Sequence, residues 1–279
     1  MNKTIDRISL ATFFLLFSIV FYPTMKSLIF VWSNSEDYSH GFLILPIAIY
    51  IIWAKRFEIK AVEVKPSPLW FVFVLFSLLL FLGAEFASIL TLTPIAMILF
   101  IIGSVIFLFG MKMFRLLVFP LCFLFLMIPI PSQIYSSVTM PLQLFVTTAT
   151  VEIAYLFGIP ILREGNIIHL FNTTLQVVEA CSGLRSTISL FTLCTIFGYF
   201  SLHYNLSRII LCAASILAAI LVNIFRVFAM VVSRHFFNYD LTQGDVHTVF
   251  GILIFFLALV IVYFFQSILS FGEDHFAKN

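Results

Sequence analysis

The chain has 279 residues, 62% hydrophobic and only 10% charged, with a formal net charge of +2 and a mean hydropathy of +1.14. Soluble domains carry about 25% charged residues, so this composition excludes one and indicates a polytopic membrane protein. So small a net charge leaves no basis for nucleic acid binding.

A single all-α integral membrane domain over 1–279 is expected, surrounded by membrane lipids. The four cysteines, Cys122, Cys181, Cys194 and Cys212, show no C-x-x-C spacing. Neither a disulfide framework nor a zinc site is indicated. The basic N-terminus and its apolar run lack a small-residue cleavage site and read as a retained first span.

A membrane helix needs about 20 apolar residues, and runs near that length predict about eight spans. In order they are 8–25, 41–54, 69–88, 94–110, 116–130, 182–200, 209–232 and 247–267, followed by a polar tail. Lys55 to Lys65 is a basic loop, and Glu85 lies near the end of the third span. Residues 133–158 are apolar yet carry Gln133, Gln143, Thr147, Thr148, Thr150 and Glu152, which predicts a helix lying on or dipping into the outer surface. Residues 159–178 show β-branched alternation around Gly165-Asn166 and Asn172, the pattern of a small β-hairpin.

The basic residues set the orientation. With the N-terminus in the cytoplasm, Lys3, Arg7, Lys55, Arg56, Lys60, Lys65, Lys112, Arg115, Arg208 and Lys278 fall inside, ten of the fifteen Lys and Arg. That satisfies the positive-inside rule provided 133–158 does not cross. Both termini are then cytoplasmic.

Three ionisable groups converge at the outer face in this arrangement. Cys181 opens the sixth span, within V-V-E-A-C-S-G-L-R-S. Alone it would read as inert packing. At a helix start, beside free N–H groups and with Arg185 one turn on, its thiolate is favoured. Glu179 and Ser182 flank it. Arg226 lies about 9 Å below the outer end of the seventh span, where a guanidinium must snorkel or meet a polar interior. Asn223 precedes it by one turn. His247 opens the eighth span after Gly244 and Asp245, a plausible cap, and a helix N-terminus keeps its ring neutral and able to accept a proton. His40, His169 and His235 read as surface histidines. Thiol, base and fixed cation are the parts of cysteine acyl transfer. A non-enzymatic transporter or scaffold using Arg226 and Glu85 as a polar path is the alternative. A metal site from His235, Asp240, Asp245 and His247 matches no common ligand spacing, so no metal or cofactor is expected.

The blocks E-A-C-S-G-L-R-S (179–186), N-I-F-R (223–226) and G-D-V-H-T-V-F-G (244–251) resemble the exosortase/archaeosortase family. So do D-Y-S-H-G (37–41) and G-I-P-I-L-R-E-G-N-I-I (158–168). The likeness runs from about Trp32 to Gly251 in the family's order, and a His rather than an Arg at 247 resembles the bacterial branch. The resemblance implies a membrane-embedded cysteine transpeptidase or protease in the cell inner membrane. Cys181 would be nucleophile, Arg226 would stabilise the oxyanion or substrate, and His247 would be general base and acid. Glu179, Arg185, Asn223 and Asp245 would support them. The implied partners are exported proteins ending in a sorting signal, which comprises a short motif such as Pro-Glu-Pro, a membrane helix and a basic tail.

Overall fold

The computed structural model describes residues 3–171, 173–177, 183–242 and 244–278, and only the backbone of 3–10 and 276–278. It divides into two compact units, Met1–Pro131 and Ser132–Asn279.

The first unit holds α1 (Lys3–Val20), α2 (Tyr22–Asn34), α3 (Gly41–Ala54), α4 (Arg56–Ala61), α5 (Phe71–Phe86), α6 (Leu92–Phe109) and α7 (Met111–Phe123). Helices α5 and α6 pack together, and Gly103 lets the Phe73 ring approach. The D-Y-S-H-G block is a structural clamp here. Tyr38 donates to the Ile130 carbonyl at 3.3 Å, and His40 Nε2 to that of Leu126 at 3.2 Å. The Trp32 indole donates to the Met127 carbonyl at 3.0 Å. Gly41 packs directly beneath the Trp32 ring, where a Cβ has no room. His40 is therefore not a surface histidine. It is half-buried, and burial lowers its pKa, partly offset by the Leu126 hydrogen bond.

The second unit holds α8 (Ser132–Leu156), the strands β1 (Leu162–Glu164), β2 (Ile167–Leu170) and β3 (Thr173–Gln176), then α9 (Leu184–Ser201), α10 (Asn205–Phe237) and α11 (Gly244–Lys278). Helix α10 is its axis. One of its faces meets α8 and the sheet through Ile224, Val227 and Val231, against Val146, Ile168 and Leu175. Its other face meets α9 and α11 through Ala218, Ala219 and Val222, against Leu190, Ile254 and Ala258.

The β region is a three-stranded antiparallel meander, order β1-β2-β3, rather than one hairpin. The expected turn at Gly165-Asn166 is present, with Gly165 at φ +61 supplying the left-handed residue a two-residue turn needs. The added strand follows Phe171. The polar residues of α8 anchor this sheet. Arg163 donates to Thr148 at 2.8 Å, and Asn166 to Gln143 at 3.3 Å. Thr147 is satisfied within the helix by the Gln143 carbonyl.

This is a multi-pass membrane protein with four to six candidate spans among the described residues, where eight are expected. Among the described residues four helices are long and apolar enough to cross: Pro68–Phe86, Leu92–Phe109, Asn205–Phe237 and Gly244–His275. Two helix pairs that pass only together raise the count to six. The expected first span is broken, since α1 and α2 bend by 62° at Phe21, just before Pro23. Helix α3 has 14 residues, about 21 Å, against a hydrocarbon core of about 30 Å. Helix α9 is diluted by Arg185 and by Ser and Thr at 186, 187, 189, 192 and 195. Helix α11 does not stop at Ser267 but continues to Lys278.

Candidate active site

The local chemistry begins with helix starts. Helix α9 opens at Leu184, and Gly183 caps it at φ +84. The Thr187 N–H and hydroxyl both return to the Gly183 carbonyl. A Cβ on Gly183 would come within 2.9 Å of the Asn223 amide, so only glycine suits both the conformation and the space. Arg185 is half-buried as the second residue of α9, and its expected one-turn spacing from position 181 falls outside the described residues. Cys181 and Glu179 lie outside the described residues.

Asn223 is 3% exposed, on the face of α10 that meets α9 and α11. Arg226 follows one turn later, half-buried, and its Nη2 lies 3.0 Å from His247 Nε2 on α11. The other ring nitrogen, Nδ1, is 3.1 Å from the Leu241 carbonyl oxygen. A carbonyl only accepts, so Nδ1 carries the proton and Nε2 presents its lone pair to the guanidinium. Gly251, one turn beyond His247, leaves the space that the guanidinium fills, since a Cβ there would sit 3.4 Å from Nη2.

The Leu241 carbonyl is itself held by a tight turn. Thr242 donates to Asp240 Oδ1 twice, from its hydroxyl at 2.6 Å and from its N–H at 2.8 Å. The hydroxyl bond, then the N–H bond, lowers the Asp240 pKa. Sequence reasoning missed these residues as supports of the histidine, although D-x-T just before a helix is a recognisable side-chain-capped turn. Asp245 is exposed in the first turn of α11. His235 is exposed, and His169 is half-buried beside Glu164 at 3.3 Å.

Arg226 and His247 each border a cavity. Arg226, Asn223 and Ser186 line a narrow one of about 30 Å³ between α9, α10 and α11. His247, Thr242 and Gln176 line a larger one of about 230 Å³, floored by Val177, Val227 and Met230. Glu85 is exposed near the end of α5, in the first unit, whereas Arg226 belongs to the second.

The structure thus brings together two of the three expected catalytic groups, from helices separated by a loop. Among the described residues no three His, Cys, Asp or Glu cluster as metal ligands. No curated protein and no solved structure matches the chain. The family model described as transmembrane exosortase matches residues 32–264, a stretch containing positions 181, 226 and 247, and the chain therefore belongs to the transmembrane exosortase family.

Proposed function

We propose that this chain is a cysteine-dependent transpeptidase or protease that processes the C-terminal sorting signals of exported proteins at the outer face of the cytoplasmic membrane. Membership of the exosortase family supports a sorting-signal processing enzyme acting on secreted proteins. The observation that carries the residue assignment is the 3.0 Å contact between Arg226 and His247. An accepting imidazole nitrogen and a fixed cation stand side by side, which are the two partners a thiol nucleophile needs. Chain connectivity is compatible with the third, because position 181 is two residues before Gly183, about 7 Å at most along an extended chain, and Gly183 packs on Asn223, one turn from Arg226.

In this reading His247 Nε2 takes the Cys181 thiol proton and the sulfur attacks the carbonyl carbon at the cleavage point. Arg226 turns its released N–H toward the oxygen that becomes negative. The C–N bond breaks, the proton on Nε2 goes to the leaving amine, and a thioester remains. Water or an amine then resolves it, regenerating the thiol. The Nδ1 bond to Leu241 keeps the ring in the tautomer required at both steps.

The test follows a tagged reporter ending in a sorting signal from the same genome. Cys181→Ala and Cys181→Ser should accumulate it uncleaved while the protein remains in the membrane. Normal processing by either variant would overturn the proposal.

A further inference from the structure

Strand β3 is an edge of its sheet, and among the described residues no strand pairs with its other side. Its hydrogen-bonding phase can be worked out. The Val177 N–H donates to the Asn166 carbonyl at 2.9 Å, so 166 and 177 form a hydrogen-bonded pair. Pairs alternate along an antiparallel ladder. Ile168 with Leu175 and Leu170 with Thr173 are then hydrogen-bonded as well. Thr174 and Gln176 fall on the alternate pairs, so their N–H and C=O groups point away from β2, toward the open edge. Their side chains are exposed, while Leu175 between them is buried against Ile168. The same strand end that offers these groups lines the 230 Å³ cavity, which His247 also lines.

We infer that β3 is the docking edge for the substrate, resting on the function proposed above. A short extended peptide, the segment just before the membrane helix of the sorting signal, adds as a fourth strand beside Thr174 and Gln176. Its alternate side chains enter the cavity floored by Val177, Val227 and Met230. Three features favour this occupant. The edge offers main-chain donors and acceptors at a spacing that only an extended strand can match. The cavity is apolar below, with Gln176 and Thr242 as its polar wall. The edge is continuous with the candidate base, so a peptide paired there passes His247 without a further binding element. Backbone pairing also reads extension itself, which separates the motif from the helix that follows it.

The test uses the full-length protein in membranes and the tagged sorting-signal reporter. Thr174→Pro removes an outward N–H without breaking a bond to β2, a substitution that edge strands tolerate. It should slow processing about tenfold at limiting reporter, the loss expected for one or two hydrogen bonds. Thr174→Val keeps the N–H and should be slowed clearly less than Thr174→Pro; equal slowing by both would overturn main-chain pairing at this edge. A photo-crosslinking residue at position 176 in a Cys181→Ala background should capture the reporter, whereas one at Leu162 on the opposite edge should not. Adding Thr174→Pro should abolish the capture. Equal processing by Thr174→Pro and the parent, capture from Leu162 but not from 176, or crosslinks only between two copies of the chain would each overturn the inference. The capture does not depend on cleavage. Loss of capture with intact Cys181 dependence defeats the docking edge alone, and cleavage by Cys181→Ala defeats the nucleophile alone.

Discussion

His247 Nε2 accepts from Arg226 at 3.0 Å, so the nitrogen suited to take a proton is covered by the cation suited to stabilise an oxyanion. The two residues are 21 positions apart, on different helices. In the function proposed above, the same contact must open before the imidazole can meet a thiol and the guanidinium a substrate oxygen.

Arg226→Lys keeps the charge and loses the planar fork. A single ammonium does not reproduce a planar group that faces His247 and turns an N–H to the substrate. Processing of the reporter should fall by about 10²-fold or more, the scale of removing an oxyanion donor, with normal membrane insertion. Rates near those of the parent would leave only a generic charge role.

His247→Ala should leave the reporter uncleaved even where the thiol can still be alkylated, because the leaving amine has lost its proton source. Cleavage rate and alkylation rate measured on the same membranes separate the two effects. Normal cleavage would remove His247 from the mechanism.

Gly183→Ala places a Cβ 2.9 Å from the Asn223 amide in a backbone at φ +84. The conformation alone costs about 1–2 kcal/mol for a side-chain-bearing residue. The variant should insert, unfold at a lower temperature in detergent, and lose activity. Asn223→Ala in the same protein should recover part of the stability by relieving the contact, which a double-mutant cycle reads out.

Thr242→Val should raise the Asp240 pKa toward its ordinary 3.8, since the Thr242 hydroxyl is the largest cause of its depression. The sign follows from linkage. A lowered carboxyl pKa contributes stability above the ordinary value, which is lost as pH falls through the folded value. The turn that carries the Leu241 carbonyl should therefore loosen at a higher pH in the variant. Selective ¹³C labelling of Asp side chains, with Asp240→Asn for assignment, follows the titration directly.

Topology can be checked by single cysteines in a background from which Cys122, Cys181, Cys194 and Cys212 have all been removed. Cysteines at Ser39 and Tyr239 should react with a membrane-impermeant reagent in intact cells, or in spheroplasts where an outer membrane intervenes. A cysteine at Glu58 should not. Reaction at Glu58 but not Tyr239 would invert the orientation.

Composition and apolar runs made the membrane class legible, and the Asn223–Arg226 and His247 blocks pointed to two residues that meet in space. A guanidinium in an apolar helix demands a partner, and that demand is visible in one dimension. The number of spans was less legible. An apolar run does not reveal a bend such as the one at Phe21, nor the breaks that keep α3 and α7 short. On α8, Thr147 and Thr148 bond back to the helix, and Thr148 and Gln143 meet the sheet, a long-range pairing that the sequence does not record. The third strand was missed because its signal, T-T-L-Q, is brief and lies next to a turn. Asp240 and Thr242 were passed over because their role reaches the histidine through a backbone carbonyl, which no side-chain motif records.

Glu273 lies far along α11, yet its carboxylate accepts the N–H groups of His203 at 2.7 Å and Tyr204 at 3.0 Å, just before α10 begins. It is 6% exposed. Among the described residues, polar contacts thus tie α11 to α10 and its lead-in here and again where Arg226 meets His247, in addition to their apolar packing. Whoever trims this chain for expression would be tempted to cut after Ser267, treating the rest as a dispensable tail. That cut would unfasten the start of the very helix that carries Arg226. Purification handles belong beyond Lys278, and a shortened version that loses activity would say nothing about whether its last residues touch substrate.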